Sequence, residues 1–256
     1  MTDIQRLKDL SFLTEMEYTP AIVVGGQRAS GKTNLLHGKN GIVATLDRKW
    51  KFQNVFLFSQ TAKYNYPKSF GFMSEEDIYD DISVLDEIYR IRSTTKKSTE
   101  KLKSILVILD DIYGMLDDNG TDIRNNKTIT RLFVQGRHLG GICVIVLCQR
   151  IKSQLSPIIR LNADVTFIFN PKSNTEKQNL KDDYYGMATS KQEIQKLYTD
   201  TFKIPYSCAV VMGYKSGVIN LASYVYIYLH SHPPSKYRCK YLKKSRRENK
   251  NLINII

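Results

Sequence analysis

The sequence predicts an α/β domain of three layers, in which a mostly parallel sheet lies between two layers of helices. Short apolar runs alternate along the chain with segments of helical periodicity, as they do in folds built from β-α-β units. Two of these runs, residues 105–109 and 142–147, are apolar throughout, which is typical of strands buried on both faces of a parallel sheet. With 256 residues and 42% apolar side chains, the chain is large enough for one such domain with modest additions.

The elements can be placed in chain order from these patterns. Strands are expected at residues 21–24, 54–59, 105–109, 142–147, 165–169, 208–212 and 224–229, the last at an edge of the sheet. Helices are expected from about residue 32, from 75 into the low 90s, from 128 to 139 and from 191 to 199. The helix from 75 depends on Ser74 and Asp77, which resemble a capping box, and on apolar residues at helical spacing after them. Residues 1–20 are expected to form an amino-terminal extension, 21–235 the domain and 236–256 a basic tail.

The strongest motif follows the first predicted strand and fits the pattern G-x-x-x-x-G-K-[ST]. Its residues, the candidates for nucleotide binding, are Gly26, Gln27, Arg28, Ala29, Ser30, Gly31, Lys32 and Thr33. The two glycines let the backbone bend around phosphates, so that consecutive N–H groups face them. The lysine reaches the β- and γ-phosphates, and the threonine hydroxyl binds Mg²⁺. The sequence therefore predicts a P-loop that binds ATP with Mg²⁺.

A second acidic position completes such a site, and it lies at the end of the predicted strand 105–109. Asp110 and Asp111 follow five apolar residues directly. In a Walker B strand, the carboxylate at the strand end helps to hold Mg²⁺. We therefore expect Asp110 to be a metal ligand with Thr33, and Asp111 to orient or deprotonate the attacking water.

Two further polar residues are candidates for a catalytic role. Gln149 follows the strand 142–147, where its amide could sense the γ-phosphate or position water. Arg137 lies in a Gly-Arg-His sequence at the end of the intervening helix, and could stabilise transition-state charge in a neighbouring subunit. The alternatives for Arg137 are an arginine that interacts with the helix dipole, or a trans-acting role for Arg131, Arg150 or Arg160 instead.

The formal charge of +13 indicates a polyanionic partner. Residues 236–250 hold eight bases and one acid, and so carry +7 of this charge. The candidates for DNA contact in this segment are Lys240, Lys243, Lys244, Arg246 and Arg247. A solvated tail without a nucleic-acid role is the alternative interpretation of the same run.

The spacing of the cysteines and the hydropathy of the chain indicate the kind of cellular compartment in which the protein is expected. Cys143, Cys148, Cys208 and Cys239 show no C-x-x-C spacing, which favours reduced thiols over zinc ligands or disulfides. No apolar run approaches the roughly 18 residues of a spanning helix. The first twenty residues mix acids and bases, unlike a signal peptide. We expect a reducing compartment, no membrane span and no secretion.

Taken together, these motifs resemble the poxvirus-type DNA-packaging ATPases of the FtsK–HerA superfamily. The resemblance covers roughly residues 21–169 and rests on the glycine pair Gly25-Gly26 that opens the P-loop, the Ile-Leu-Asp-Asp strand end, the Gly-Arg-His sequence and a strand that runs to Gln149. It implies a P-loop NTPase fold of the additional-strand, RecA-like type. Asp111 differs from the glutamate that the superfamily often has at this position.

The same resemblance implies the partners. These would be double-stranded DNA, further copies of the chain in a pentameric or hexameric ring, and capsid or portal-vertex proteins. It also places the protein in the host cytoplasm at viral factories, with the virion as a further location.

Rival functions must explain the same residues. Another DNA translocase or a helicase-like ATPase shares all of these motifs. A GTPase is suggested by Asp111 and Gly114 in a D-x-x-G pattern, but residues 126–129 lack the aspartate that would read guanine. A small-molecule kinase would need an arginine-rich lid, and no such segment stands out.

Overall fold

One sheet of nine strands organises the part of the chain that the computed structural model describes, residues 6–66, 70–95, 102–112, 126–184, 190–213 and 225–229. The strands are β1 (Arg6–Leu7), β2 (Ala21–Gly25), β3 (Asn54–Phe58), β4 (Ile78–Tyr79), β5 (Ile105–Asp110), β6 (Ile142–Cys148), β7 (Val165–Phe169), β8 (Ser207–Met212) and β9 (Val225–Leu229). Their order is β1-β9-β8-β7-β2-β6-β5-β3-β4. Only β8 runs antiparallel to its neighbours, so the predicted mostly parallel sheet is confirmed.

Helices cover both faces of this sheet. They are α1 (Phe12–Glu15), α2 (Lys32–Leu36), α3 (Ile42–Trp50), α4 (Ala62–Asn65), α5 (Ser83–Thr95), α6 (Lys127–Gln135), α7 (Ile151–Gln154), α8 (Pro157–Leu161), α9 (Asn174–Tyr184) and α10 (Lys191–Phe202). The first four contribute to a core on one face of the sheet, and the last six contribute to a core on the other. The three-layer architecture is therefore confirmed.

The central strands divide their side chains between the two cores. In β2, Ile22 and Val24 face one core, whereas Ala21 and Val23 face the other, because successive side chains of a strand point to opposite faces. Residues of β5 and β6 are buried along their whole lengths. Burial on both faces explains why these segments are apolar without alternation.

The predicted helix from residue 75 is wrong in its first two turns. Glu75–Asp77 forms a short 3-10 turn, Ile78–Tyr79 forms β4, and α5 begins only at Ser83. The Ser74 side chain makes no capping hydrogen bond. Pairing of Ile78 with Leu57 in β3 buries the isoleucine, so its apolar character reflects the sheet and not a helix face.

The expectation of an edge strand at residues 224–229 is also wrong. The strand β9 lies between β8 and β1, because Arg6 and Leu7 pair with Ile227 and Tyr228 on its outer side. After β1, Leu10, Leu13 and Met16 join the core on one face of the sheet. Part of the predicted amino-terminal extension thus packs on the domain.

Several elements had no counterpart in the sequence patterns. The helix α3 buries Ile42, Val43 and Leu46 against the sheet, and begins after Gly41, where a Cβ would lie 2.0 Å from the carbonyl oxygen of His37. The helix α9 buries a single leucine, Leu180, and its otherwise polar sequence has no apolar period. Within the described ranges, no helix is long and apolar enough to cross a membrane.

Candidate functional site: a P-loop beside a paired carboxylate

The predicted P-loop connects the end of β2 to the start of α2. Gly26 donates its N–H to the carbonyl oxygen of Cys148 over 3.0 Å, which ties the loop to the end of β6. A Cβ on Gly26 would lie 2.6 Å from Ser30 Oγ and 2.8 Å from Phe169 Cβ, so only glycine fits there. Gly31 has φ 106° and Ala29 has φ 63°, both in the left-handed region that a tightly folded loop requires. The backbone therefore has the curvature that the motif predicts.

Polar groups inside the loop are suited to a phosphate. Lys32 Nζ donates to the carbonyl oxygens of Gly26 and, over 3.1 Å, of Gln27. Burial lowers the pKa of Lys32, while Asp110, Cys148 and Asp111 act in the opposite direction. The Ser30 hydroxyl is buried and has no hydrogen-bond partner among the residues that the structure describes. A buried donor without a partner is costly, and a phosphate oxygen would satisfy it.

The two predicted carboxylates lie at the same edge of the sheet as the P-loop. Asp110 ends β5, pairs in register with Leu147 of β6 and is only 9% exposed. Burial, followed by the charge of Asp111, raises the pKa of Asp110 to about 6, although Lys32 opposes this shift. Asp111 follows with φ 51°, an uncommon backbone conformation for a residue other than glycine.

Gln149 lies within hydrogen-bond distance of Asp111. Its Nε2 donates to Asp111 Oδ1 over 3.1 Å and to Oδ2 over 3.3 Å. The two residues meet because β6 lies between β2 and β5, so the carboxyl ends of all three strands are neighbours. The structure thus brings together the P-loop, Asp110, Asp111 and Gln149, as the sequence predicts.

The donor set at this edge fits Mg²⁺. The Thr33 hydroxyl and the Asp110 carboxylate are oxygen donors, and Mg²⁺ is commonly held by one or two carboxylates together with water and substrate phosphates. In the described part of the chain, no group of three or more His, Cys, Asp and Glu residues could hold a metal by itself. A two-residue site completed by phosphate oxygens is therefore the arrangement that these residues allow.

Arg137 lies at the opposite edge of the sheet, in the 3-10 turn Gly136–His138 that precedes β6. Its Nη1 is 3.5 Å from Asp164 Oδ1, and its guanidinium carbon lies 4.7 Å from the centroid of the Tyr18 ring. Asp164 also accepts hydrogen bonds from Tyr18 Oη and from the Ala21 N–H. Within one subunit, Arg137 therefore does not reach the P-loop, and a trans-acting role stays a prediction.

The rival arginines differ in position. Arg150 follows Gln149 at the P-loop edge and is exposed. Arg160 Nη1 is 2.7 Å from Asp183 Oδ2, and Arg131 lies over the Tyr89 ring at 5.6 Å. The predicted DNA contacts Lys240, Lys243, Lys244, Arg246 and Arg247 lie outside the described residues.

A cleft opens beside the P-loop. The residues that line it include Gly26, Gln27, Gln149, Lys152 and Glu176 of α9. Burial raises the pKa of Glu176, while Arg150 and Lys152 act against this shift. The cleft therefore brings residues of the P-loop, Gln149 and α9 to one surface.

Sequence reasoning missed two residues near the site. Tyr206 precedes β8 with φ 61°, is 50% exposed, and places its Cδ1 3.6 Å from the position of a Cβ on Gly31. Gln154 accepts hydrogen bonds from the backbone N–H groups of Gln149 and Arg150. Tyr206 approaches Gly31 from a distant part of the sequence, and Gln154 binds backbone groups within an irregular turn. No spacing pattern in the sequence predicts either contact.

Comparisons with known proteins agree with this geometry. The genome packaging NTPase B204 from Sulfolobus turreted icosahedral virus 2, solved with sulfate, is 18% identical, with a TM-score of 0.53 over 87% of this chain and 100% of that chain. Its complex with ATP-gammaS matches with a TM-score of 0.51 and 18% identity over 86% of this chain and 99% of that chain. The pCW3 conjugation coupling protein TcpA is 13% identical, with a TM-score of 0.53 over 78% of this chain and 58% of its own. No curated protein matches the chain by sequence.

These solved structures establish that the chain has the fold of the P-loop NTPases. The sequence profile described as Poxvirus A32 protein matches residues 9–197, which is well over half of the chain and includes the P-loop, both carboxylates and Gln149. The chain therefore belongs to the poxvirus A32 protein family.

Proposed function

We propose that this protein is an ATPase that drives double-stranded DNA into a viral capsid. The observation that carries the proposal is the meeting of the P-loop with Asp110, Asp111 and Gln149 in a chain of the poxvirus A32 family. The structural match to B204, a genome packaging NTPase solved with ATP-gammaS, supports both the nucleotide and the process.

Each residue has a distinct task in this proposal. Lys32 exchanges its hydrogen bonds to the loop carbonyls for bonds to the β- and γ-phosphates. Thr33 and Asp110 would hold Mg²⁺, which would supply positive charge beside the phosphate oxygens. Asp111 orients or deprotonates water, whose oxygen bonds to the γ-phosphorus as the bond to the β–γ bridging oxygen breaks, releasing ADP and phosphate. Gln149 senses the γ-phosphate through its contact with Asp111.

The strand order also supports a direction for the bound nucleotide. The acids and Gln149 lie on the β5 and β6 side of β2, which favours a γ-phosphate on that side. The adenosine then extends toward β7 and β8, where the exposed ring of Tyr206 lies beside Gly31. Stacking on an aromatic ring is a general way to hold a base.

The larger assembly follows from the same proposal. Several copies form a ring around duplex DNA, pentameric or hexameric, and dock on a capsid or portal vertex. Arg137 or Arg150 of one subunit serves the site of its neighbour. The protein acts in the reducing host cytoplasm at viral factories, where Cys143, Cys148 and Cys208, buried and unpaired, remain thiols.

ATP hydrolysis measured with and without duplex DNA tests this function. We expect DNA to stimulate the wild type, Lys32→Ala to be inactive, and Asp111→Asn to bind ATP but turn over about 100-fold more slowly, since a positioned acid or base contributes that much or more. Lys191→Ala removes one exposed charge at the start of α10, outside the motifs, and should retain activity. Normal turnover by Asp111→Asn would reject its catalytic role, and stimulation by a small phosphoryl acceptor in place of DNA would favour a kinase.

A further inference from the structure

The one-turn helix α7 carries a side chain that organises the loop after β6. Gln154 Oε1 accepts the backbone N–H of Gln149 over 2.8 Å and that of Arg150 over 2.9 Å. Both partners are donors, so the amide oxygen must face them. The Gln154 N–H in turn donates to the Arg150 carbonyl oxygen over 3.0 Å. The side chain of Gln154 thus binds the N–H groups of two consecutive residues, Gln149 and Arg150.

The first of these two residues, Gln149, is also the residue whose side chain contacts Asp111. The Asp111 backbone is in the left-handed region, and its N–H donates to the Leu147 carbonyl oxygen over a long 3.4 Å. The Gln149 amide makes shorter contacts, to both carboxylate oxygens. The direction of the Asp111 carboxylate therefore depends on where the backbone of Gln149 lies.

The same helix contacts the base of the P-loop. Ile151 is buried against Gly25, where a Cβ would lie 2.3 Å from its Cγ1. The N–H of Gly26 donates a hydrogen bond to the carbonyl oxygen of Cys148, the last residue of β6. The helix α7 is thus placed against the P-loop on one side and holds the Gln149 loop on the other.

We propose that Gln154 is a positioning residue for hydrolysis, one that aligns Gln149, and through it Asp111, with the P-loop. This role rests on the proposed ATPase function. Gln149 and Arg150 are exposed, so water can replace the lost acceptor at both N–H groups. Removal of the Gln154 acceptor therefore changes alignment and leaves the fold intact.

Two substitutions by side chains of similar length distinguish the effect of the hydrogen-bond acceptor from the effect of side-chain size. Gln154→Met removes the acceptor, whereas Gln154→Glu retains an oxygen that can accept both N–H groups. We expect Gln154→Met to lower kcat about tenfold or more, because small displacements of catalytic groups cost up to about 100-fold in rate. Its Kd for ATP-γ-S should stay that of the wild type, and Gln154→Glu should keep most of the activity.

Amide hydrogen exchange gives a second measurement that does not depend on turnover. The N–H groups of Gln149 and Arg150 should exchange faster in Gln154→Met and remain protected in Gln154→Glu. Gln195→Met, on the exposed face of α10, is the matched control and should change neither exchange nor kcat.

The possible outcomes are distinct. The positioning role would be overturned if Gln154→Met kept the wild-type kcat, or if Gln154→Met and Gln154→Glu lost kcat equally. It would also be overturned if the Kd of Gln154→Met for ATP-γ-S weakened as much as kcat fell. If the wild type binds ATP-γ-S but hydrolyses no ATP with or without duplex DNA, the proposed function and the positioning role both fail. An active wild type with an unaffected Met variant rejects the positioning role alone.

Discussion

At the scale of single residues, the ionised carboxylate of the buried Asp110 lowers the stability of the folded protein when Mg²⁺ and nucleotide are not bound. Burial and the neighbouring Asp111 raise the pKa of Asp110 to about 6, so the folded protein favours the protonated form relative to the unfolded chain. A folded pKa above the unfolded value contributes stability that is present at low pH and is lost as pH rises through about 6. Mg²⁺ and nucleotide would compensate the ionised form.

Substitution of Asp110 by Asn tests this cost. Without Mg²⁺ and nucleotide, we expect Asp110→Asn to be more stable than the wild type at pH 8 by about 2–3 kcal/mol, since one pKa unit corresponds to about 1.4 kcal/mol. The difference should shrink toward pH 4, because the wild-type carboxyl is then protonated as well. Denaturant unfolding across this pH range measures it.

A stability gap between Asp110→Asn and the wild type that stays constant from pH 4 to pH 8 would contradict the raised pKa. With Mg²⁺ and ATP-γ-S present, the order should reverse, because only the wild type gains the binding energy of the metal complex.

At the scale of elements, the contact between the end of β2 and α7 joins the P-loop to the loop of Gln149. A Cβ on Gly25 would lie within 2.4 Å of two atoms of the Ile151 side chain, so the two elements approach as closely as glycine permits. This contact joins residues over 120 positions apart, so no local sequence motif predicts it.

A double-mutant cycle measures this contact. We expect Gly25→Ala to destabilise the protein by about 1–3 kcal/mol through overpacking. Combined with Ile151→Ala, which makes room for the new methyl group, it should cost clearly less than the sum of the single changes. Gly25→Ala combined with Leu85→Ala in α5 should be additive, and additivity with Ile151→Ala as well would contradict the close packing.

The helices and strands also differ in how accurately local sequence patterns predicted their positions. The strands β5 and β6 were placed to within one residue, because burial on both faces leaves an unbroken apolar run. The helix predicted from residue 75 was wrong because Ile78 is buried by pairing with β3, and a buried strand residue can coincide with a helical period. The helix α9 was missed because a single buried leucine leaves no period to detect.

At the scale of the whole molecule, the nucleotide site and Arg137 lie at opposite edges of the sheet. The nucleotide site lies at the carboxyl edge of the sheet, Arg137 lies at the amino edge, and residues 236–256 lie outside the described ranges. Arg137 is already paired with Asp164 and stacked on Tyr18, so a role in a neighbouring site would require it to leave these contacts.

Removal of the basic tail should affect DNA binding and spare the nucleotide site. If residues 236–250 contact phosphates, truncation after Ser235 should lower the log–log salt slope of duplex binding by about three to five, since each lost contact removes about 0.9. The loss should be similar for unrelated DNA sequences, because phosphate contacts carry no base information. Binding titrations at several salt concentrations provide the slope.

A full-length variant with Lys240, Lys243, Lys244, Arg246 and Arg247 replaced by Gln controls for chain length. Both proteins should retain DNA-independent ATP hydrolysis, because no P-loop residue is altered. An unchanged salt slope in both would exclude the tail from DNA contact, and loops of the domain would then have to provide it.

The sequence by itself determined the P-loop, the Asp110–Asp111 pair and the central buried strands, because these features depend on residues adjacent in the chain or on burial on both faces. Only the tertiary structure decided the position of β6 between β2 and β5, the contact of Gln149 with Asp111, the hold of Gln154 on the Gln149 loop, and the placement of Arg137 at the far edge. Strand order and register arise from pairing between distant segments, and polar contacts at strand ends follow from that order.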